Sequence, residues 1–169
     1  NIFLRNIIFV VIISYFLVIF QAYIYKLSLS IFELSEETKI YFKDYFTLRI
    51  YSSFGELTIF VITGLFIGLQ KTKTSSLVVG FYSLANIIFS LIFVLYYDLN
   101  VLGVALGTLV ASTLSMIIFL FYTFYALSKI TKLEFNTKKI FNFNKVKNIF
   151  NINLNIFIRS ILLAFSFVY

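Results

Sequence analysis

VLGVALGTLVASTLSMIIFLFYTFYAL, Val101–Leu127, runs without one Asp, Glu, Lys or Arg. At 1.5 Å rise per residue, a helix of this length is more than enough to cross the roughly 30 Å hydrocarbon core of a bilayer. Three comparable stretches precede it, Asn6–Tyr25, Ile50–Leu69 and Leu77–Tyr97, and a fifth opens near Ile149. The sequence is 61% hydrophobic and 12% charged, with mean hydropathy +0.99. A soluble domain of similar size would be about 45–50% apolar and about 25% charged. These runs cannot all be hidden in one small core, so the sequence predicts an all-α, polytopic transmembrane helix bundle. The first run is too long for a secretory signal, whose apolar segment is roughly 7–15 residues, and it lacks the small-residue ending of a cleavage site.

Charge orients the spans, because Lys and Arg in short connections stay on the cytoplasmic side. Ser128–Lys147 carries Lys129, Lys132, Lys138, Lys139, Lys145 and Lys147 against Glu134 alone. Counting back one crossing at a time puts Tyr97–Asn100 with Asp98 outside, and Gln70–Ser76 with Lys71 and Lys73 inside. The acidic connection Lys26–Asp44 then falls outside and Arg5 inside. The formal charge of +7 follows this asymmetry, which makes topology a better explanation than nucleic-acid binding. The resulting division is a bundle over 1–127, with spans at about 6–25, 36–69, 77–97 and 101–127, then a basic cytoplasmic linker over 128–148 and a further helix over 149–169. The absence of an initiator Met and the apolar run still open at Tyr169 read as cuts from a longer chain.

Ser35-Glu36-Glu37 has the form of a helix start, with a hydroxyl for the N-cap and acids in the first turn. The second helix is therefore expected to run from about Glu36 to Leu69. The chain has no proline, where average usage would give about eight. Any bending is expected at Gly, Ser or Thr. With no Cys and no His, disulfides, thiolate metal sites and imidazole proton shuttles are excluded. There is no phosphate-binding glycine loop, paired carboxylate or nucleophile–base set, and the chain does not read as an enzyme.

Polar residues inside the spans recur in sevens, about two helical turns, which places them on single faces. Arg49, Glu56, Thr63 and Gln70 form such a series in the second span, Ser14, Gln21 and Ser28 in the first, and Ser76, Ser83 and Ser90 in the third with Asn86 beside them. Stripes on three neighbouring helices suggest a shared polar interior. Glu56 and Arg159 stand at bilayer depth, where a charge costs about 2.5–3.5 kcal/mol on insertion scales. Such groups serve a transport path or brace helices as fixed pairs. For the hydroxyls and Asn86, interhelical hydrogen bonding is the expected role. Gly64-x-x-x-Gly68 and Gly103-x-x-x-Gly107, the latter followed by Ala111, read as small-residue faces for close helix packing. Most of the 23 Phe and 12 Tyr suit lipid-facing or core positions, and Tyr96 and Tyr97 lie where an interfacial aromatic belt would be.

Several landmarks follow in order: Tyr45-Phe46-x-x-Arg49-Ile50, Gly68-Leu69-Gln70-Lys71-Thr72-Lys73-Thr74, Asn86 leading into Phe93-Val94, Gly103-Val104-Ala105-Leu106-Gly107-Thr108, and Phe157-Ile158-Arg159-Ser160. Together they resemble MATE exporters, especially the DinF-like branch, over the whole of 1–169. The resemblance implies helices three to seven of a twelve-helix protein, an N-terminal lobe and the opening of its C-terminal lobe in the bacterial inner membrane. It also implies export of organic cations or other amphipathic compounds by antiport with H+ or Na+, without another cofactor. The implied partners are membrane lipid, a small amphipathic or cationic substrate and the rest of the parent chain.

On this resemblance Glu56, Arg159, Gln21, Asn86, Ser90, Thr63 and Arg49 are the candidate transport-path or ion-coupling residues. Two places depart from the family pattern. Phe54 and Ser75 stand near its usual prolines, and Ser90 stands where it often has an acid four residues after the Asn. Glu56 is the expected alternative source of charge. A lipid-linked oligosaccharide flippase of the same broad fold is a second reading, although cavity-depth basic residues are few. A non-transporting membrane scaffold is a third.

Overall fold

The computed structural model describes residues 2–32 and 34–130, together with Ile158 and Leu162. Glu33, Arg159, the linker from residue 131 and the rest of the fifth span lie outside the described residues. The chain divides into two units, 6–133 and a second made of 1–5 with 134–169. In the second unit, Phe3 and Arg5 are buried, and Ile158 and Leu162 are helical and exposed.

Four helices make up the described bundle: α1 (Ile2–Ile31), α2 (Glu36–Gly68), α3 (Thr72–Leu91) and α4 (Asn100–Ile130), with a π-helical turn (Ile92–Tyr96) continuing α3. Each is long and apolar enough to cross a membrane, α3 together with its π-turn. The four spans expected within 6–127 are present as helices, and the helices extend beyond the apolar windows. Hydropathy marks where lipid ends, whereas a helix continues until its backbone is capped or broken. The start of α2 shows this: Ser35 is extended, and its side-chain oxygen accepts from the Thr38 N–H. Its hydroxyl also lies 2.8 Å from the Thr38 hydroxyl.

α2 ends in a Schellman turn, with the Gln70 N–H donating to the Ile67 carbonyl and the Lys71 N–H to that of Phe66. Reversing the chain this way requires a left-handed residue, and Gln70 supplies it at φ 58°. In the α3–α4 connection Asp98 and Asn100 take φ 53° and 46°, where short polar side chains are tolerated better than most.

α2 and α4 form the centre of the 6–133 unit. Their most apolar stretches are 39% buried, against 11% for α1 and α3. The buried residues Ser52, Gly55, Ile59, Ile62 and Phe66 on α2 alternate steps of three and four. Ala105, Thr108, Ser112, Ser115 and Phe119 on α4 repeat that rhythm, the spacing of a knobs-into-holes seam. At Gly55 an added Cβ would lie 2.9 Å from the Ser112 Cβ and backbone carbon. The two helices therefore approach at glycine and serine. Toward the Lys71 end the seam fills with larger groups, including the Phe66 and Tyr122 rings, 5.8 Å apart.

α3 packs antiparallel against α4. Its contact ends at the π-turn, where the Tyr97 N–H reaches back to the Ile92 carbonyl and the Leu99 N–H to that of Phe93. This is the helical irregularity of the span, and it contains only Ile, Phe, Val, Leu and Tyr. A close neighbour accounts for the location: an added Cβ at Gly103 would meet the Phe93 carbonyl carbon at 2.9 Å and the Val94 nitrogen at 3.0 Å.

Among the described residues, no Cα of α1 lies within 8 Å of a Cα in α2, α3 or α4. Side chains make the link instead. Tyr25 packs on Phe42 and Phe46, each ring 5.8 Å away. Much of the remaining α1 surface, including Tyr15, Phe16, Ile19 and Tyr23, is exposed.

Candidate functional site

The seven-residue interval from Arg49 to Glu56 brings both side chains to one face of α2. Their charges meet there: Arg49 Nη1 donates to Glu56 Oε1 at 2.6 Å, and Nη2 approaches Oε2 at 3.5 Å. Neither is open to full solvation, since the side chains keep 35% and 20% of their exposure. α3 completes the group through Tyr82, whose hydroxyl donates to Glu56 Oε1 at 2.9 Å. One carboxylate oxygen thus receives a guanidinium and a phenol. The pair is intrahelical, and the bond that ties α2 to α3 comes from tyrosine.

One turn beyond Tyr82 on α3, Asn86 Nδ2 donates to the Thr108 hydroxyl of α4 at 3.1 Å. The Asn86 side-chain oxygen accepts from Ser90 at 3.3 Å, and Thr108 donates onward to the Val104 carbonyl. Arg49, Glu56, Tyr82, Asn86, Ser90 and Thr108 therefore form a polar seam across three helices, running from about the middle of the bundle toward Asp98. Packing closes it tightly: a Cβ at Gly107 would lie 2.6 Å from the Ser90 nitrogen and Cα.

This seam is narrower than the stripes implied. Thr63 continues the α2 series, but its hydroxyl is buried with no hydrogen-bond partner among the described residues. Gln70 is exposed in the turn beyond the helix. On α3, Ser76 and Ser83 are exposed and only Ser90 joins the network. Gln21 and Ser14 on α1 bury oxygens without a partner among the described residues, while Ser28 bonds to its own helix at Ile24. A polar interior shared with α1 is not formed by these residues; α2, α3 and α4 share one. Arg159 lies outside the described residues.

Two further expectations change. Most buried hydroxyls bond within their own helices: Ser52 to Arg49, Thr58 to Phe54, Ser112 to Leu109 and Thr123 to Phe119. They act chiefly as small residues that satisfy themselves; among the Ser, Thr and Asn side chains of the described residues, Asn86 and Thr108 bond between helices. Gly103 and Gly107 lie at close approaches, whereas a Cβ at Gly64 or Gly68 would meet nothing within 4 Å. On α2 the close approach belongs to Gly55.

Sequence reasoning missed Tyr82 and Gly55. Tyr82 stands four residues before Asn86, on the same helical face, and that spacing was the available signal. Gly55 lies between Ser52 and Ile59 in the seam rhythm and lacks a second glycine four residues away.

No protein-family model, curated protein or solved structure matches this chain. A functional reading therefore stands on the residues and their geometry.

Proposed function

We propose that this chain belongs to a secondary active transporter that exports organic cations or other amphipathic compounds in exchange for H+ or Na+. Its described helices make up much of the N-terminal lobe of a MATE-like, DinF-like protein of the bacterial inner membrane. One observation carries the reading: separate sequence landmarks meet in space. Asn86 bonds Thr108, Gly107 lies on Ser90, and Gly103 lies on Phe93 and Val94. These contacts bring the α3 and α4 landmarks of the resemblance side by side across one antiparallel hairpin, an arrangement the reading requires.

Glu56 takes a defined part in this reading. An uncompensated carboxylate at membrane depth is costly, and Arg49 supplies the compensation within α2. Tyr82 then couples that charged pair to α3. A proton added to the Glu56 carboxylate, or a Na+ ion competing with the Arg49 guanidinium for it, would weaken the charge that Tyr82 donates to, and through that α2–α3 bond an ion gradient would act on the lobe. In the parent protein reconstituted in liposomes, an imposed proton or sodium gradient should drive accumulation of a cationic dye in the antiport direction. Glu56→Gln should weaken this transport and change its pH dependence. Retained accumulation with an unchanged pH profile would remove Glu56 from coupling, and an absence of gradient-driven dye movement in the unmodified protein would overturn the transporter reading itself.

A further inference from the structure

At the Lys71 end of the bundle, an open groove lies between α3 and α4, lined by Lys73, Thr74, Leu77, Phe119 and Tyr122. Its lining is graded. Lys73 and Thr74 stand in the first turn of α3, whereas Leu77, Phe119 and Tyr122 lie deeper along the helices. Both sides are stiffened by rings: Tyr122 packs on Phe66, and Phe119 meets Phe81 edge-on at 5.5 Å. Beyond that ring pair a second groove follows the same two helices, lined by Phe81, Leu84, Ala85, Ile88, Phe89 and Leu114. From Lys73 to Ile88 the helix rises about 22 Å at 1.5 Å per residue, which is long enough for most of one lipid chain and exceeds half of the roughly 30 Å hydrocarbon core.

Charge selects the occupant. Lys71 and Lys73 are both exposed at the groove's polar end, and Lys129 lies at the same end of α4, its ammonium 4.4 Å above the Tyr125 ring. Among the described residues, the ion pairs are Lys39–Glu36 and Arg49–Glu56. Neither acid belongs to this end of the bundle. Basic residues over an interhelical groove are suited to an anionic headgroup.

We propose that the α3–α4 seam is a binding site for an anionic phospholipid, with its phosphodiester at Lys71 and Lys73 and an acyl chain along Leu77, Phe119 and the groove beyond Phe81. The site is separate from the polar seam at Glu56 and does not depend on a transport activity. A lipid seated there covers apolar surface that the described residues leave open. It also ties the α2–α3 turn, which carries Lys71, to the membrane interface.

The absence of Trp from the chain makes the test direct. Leu77→Trp places one indole in the groove, and Leu95→Trp places one at an exposed position near the opposite end. Each variant is reconstituted in phosphatidylcholine vesicles containing either brominated phosphatidylglycerol or brominated phosphatidylcholine, and quenching gives the relative affinity of each lipid for the site. The indole at position 77 should favour the anionic lipid by roughly fivefold if one of the two lysines engages the headgroup and by roughly thirtyfold if both do. Adding K71Q and K73Q should abolish that preference, while the indole at position 95 should show none. Equal quenching by the two lipids at position 77, or a preference that survives K71Q and K73Q, would overturn the proposal. Circular dichroism of each variant verifies that the helices are formed, and the surface positions of both lysines make K71Q and K73Q compatible with folding.

Discussion

Gln70 holds φ 58° at the position after the α2 C-cap where glycine is most common. The Schellman bonds of Gln70 and Lys71 hold it there, at the steric cost of a Cβ in the left-handed region. Gln70→Gly is therefore expected to stabilise the folded chain by about 0.5–1 kcal/mol despite the larger entropy of the unfolded glycine. A β-branched residue, as in Gln70→Val, should lower stability. Thermal unfolding of both variants in detergent, followed by helix ellipticity, measures the difference. At Tyr82 the test separates a tie between helices from a mere neighbour. Tyr82→Phe keeps the ring and removes the hydrogen bond to Glu56, so it should destabilise by about 1.5–3 kcal/mol, the usual range for a bond to a charged group. If it costs less than about 0.5 kcal/mol, Arg49 alone satisfies the carboxylate. The sequence made Arg49 and Glu56 legible because charges are rare in an apolar run. Tyr82 was not, since a tyrosine in a span has the same composition signal whether it faces lipid or donates to a carboxylate.

Helix packing sorts the glycines into two kinds that spacing alone does not separate. A Cβ at Gly107 meets Ser90 backbone at 2.6 Å, and at Gly55 it meets Ser112 at 2.9 Å. Backbone cannot rotate away as a flexible side chain can, so Gly107→Ala and Gly55→Ala should each cost about 1–3 kcal/mol by forcing the helices apart. Gly64→Ala meets open space and should instead gain up to about 1 kcal/mol through better helix propensity. Parallel unfolding curves for the three variants read these opposite signs; a stabilising Gly107→Ala would mean that the α3–α4 approach is looser than described. The spans were readable because their apolar length has few other uses. Seam residues were less readable for a physical reason. A membrane helix is apolar toward lipid and toward its neighbours alike, so Ser52, Ile59 and Phe66 recur in sevens without a contrasting polar face. The more visible sevens at Arg49, Glu56, Thr63 and Gln70 marked a functional candidate at one end and a turn at the other.

For the molecule as a whole, orientation decides which leaflet each site faces. Lys71 and Lys73 end one turn, whereas Asp98 occupies the next connection along the chain. Basic connections are retained on the cytoplasmic side, so the Lys73 mouth of the groove should lie at the inner surface, and the polar seam of Glu56 and Asn86 should run from about the middle of the membrane toward the outer surface. The lack of cysteine supplies an unlabelled background. In intact cells, a membrane-impermeant maleimide should modify Glu36→Cys and Asn100→Cys, both exposed positions, and should reach Lys73→Cys only after the membrane is opened. The reverse pattern would place the basic turn outside. That result would leave the helix contacts intact, but it would reverse the direction assigned to the Glu56 network and move the lipid site into the opposite leaflet. Labelling of all three positions in intact cells would contradict a single alternating path through α2, α3 and α4. The expected pattern joins the arrangement of the helices to a physical direction across the membrane: from Lys73, α3 should rise away from the cytoplasmic surface past Tyr82 and Asn86 and reach the π-turn beside the outer connection at Asp98.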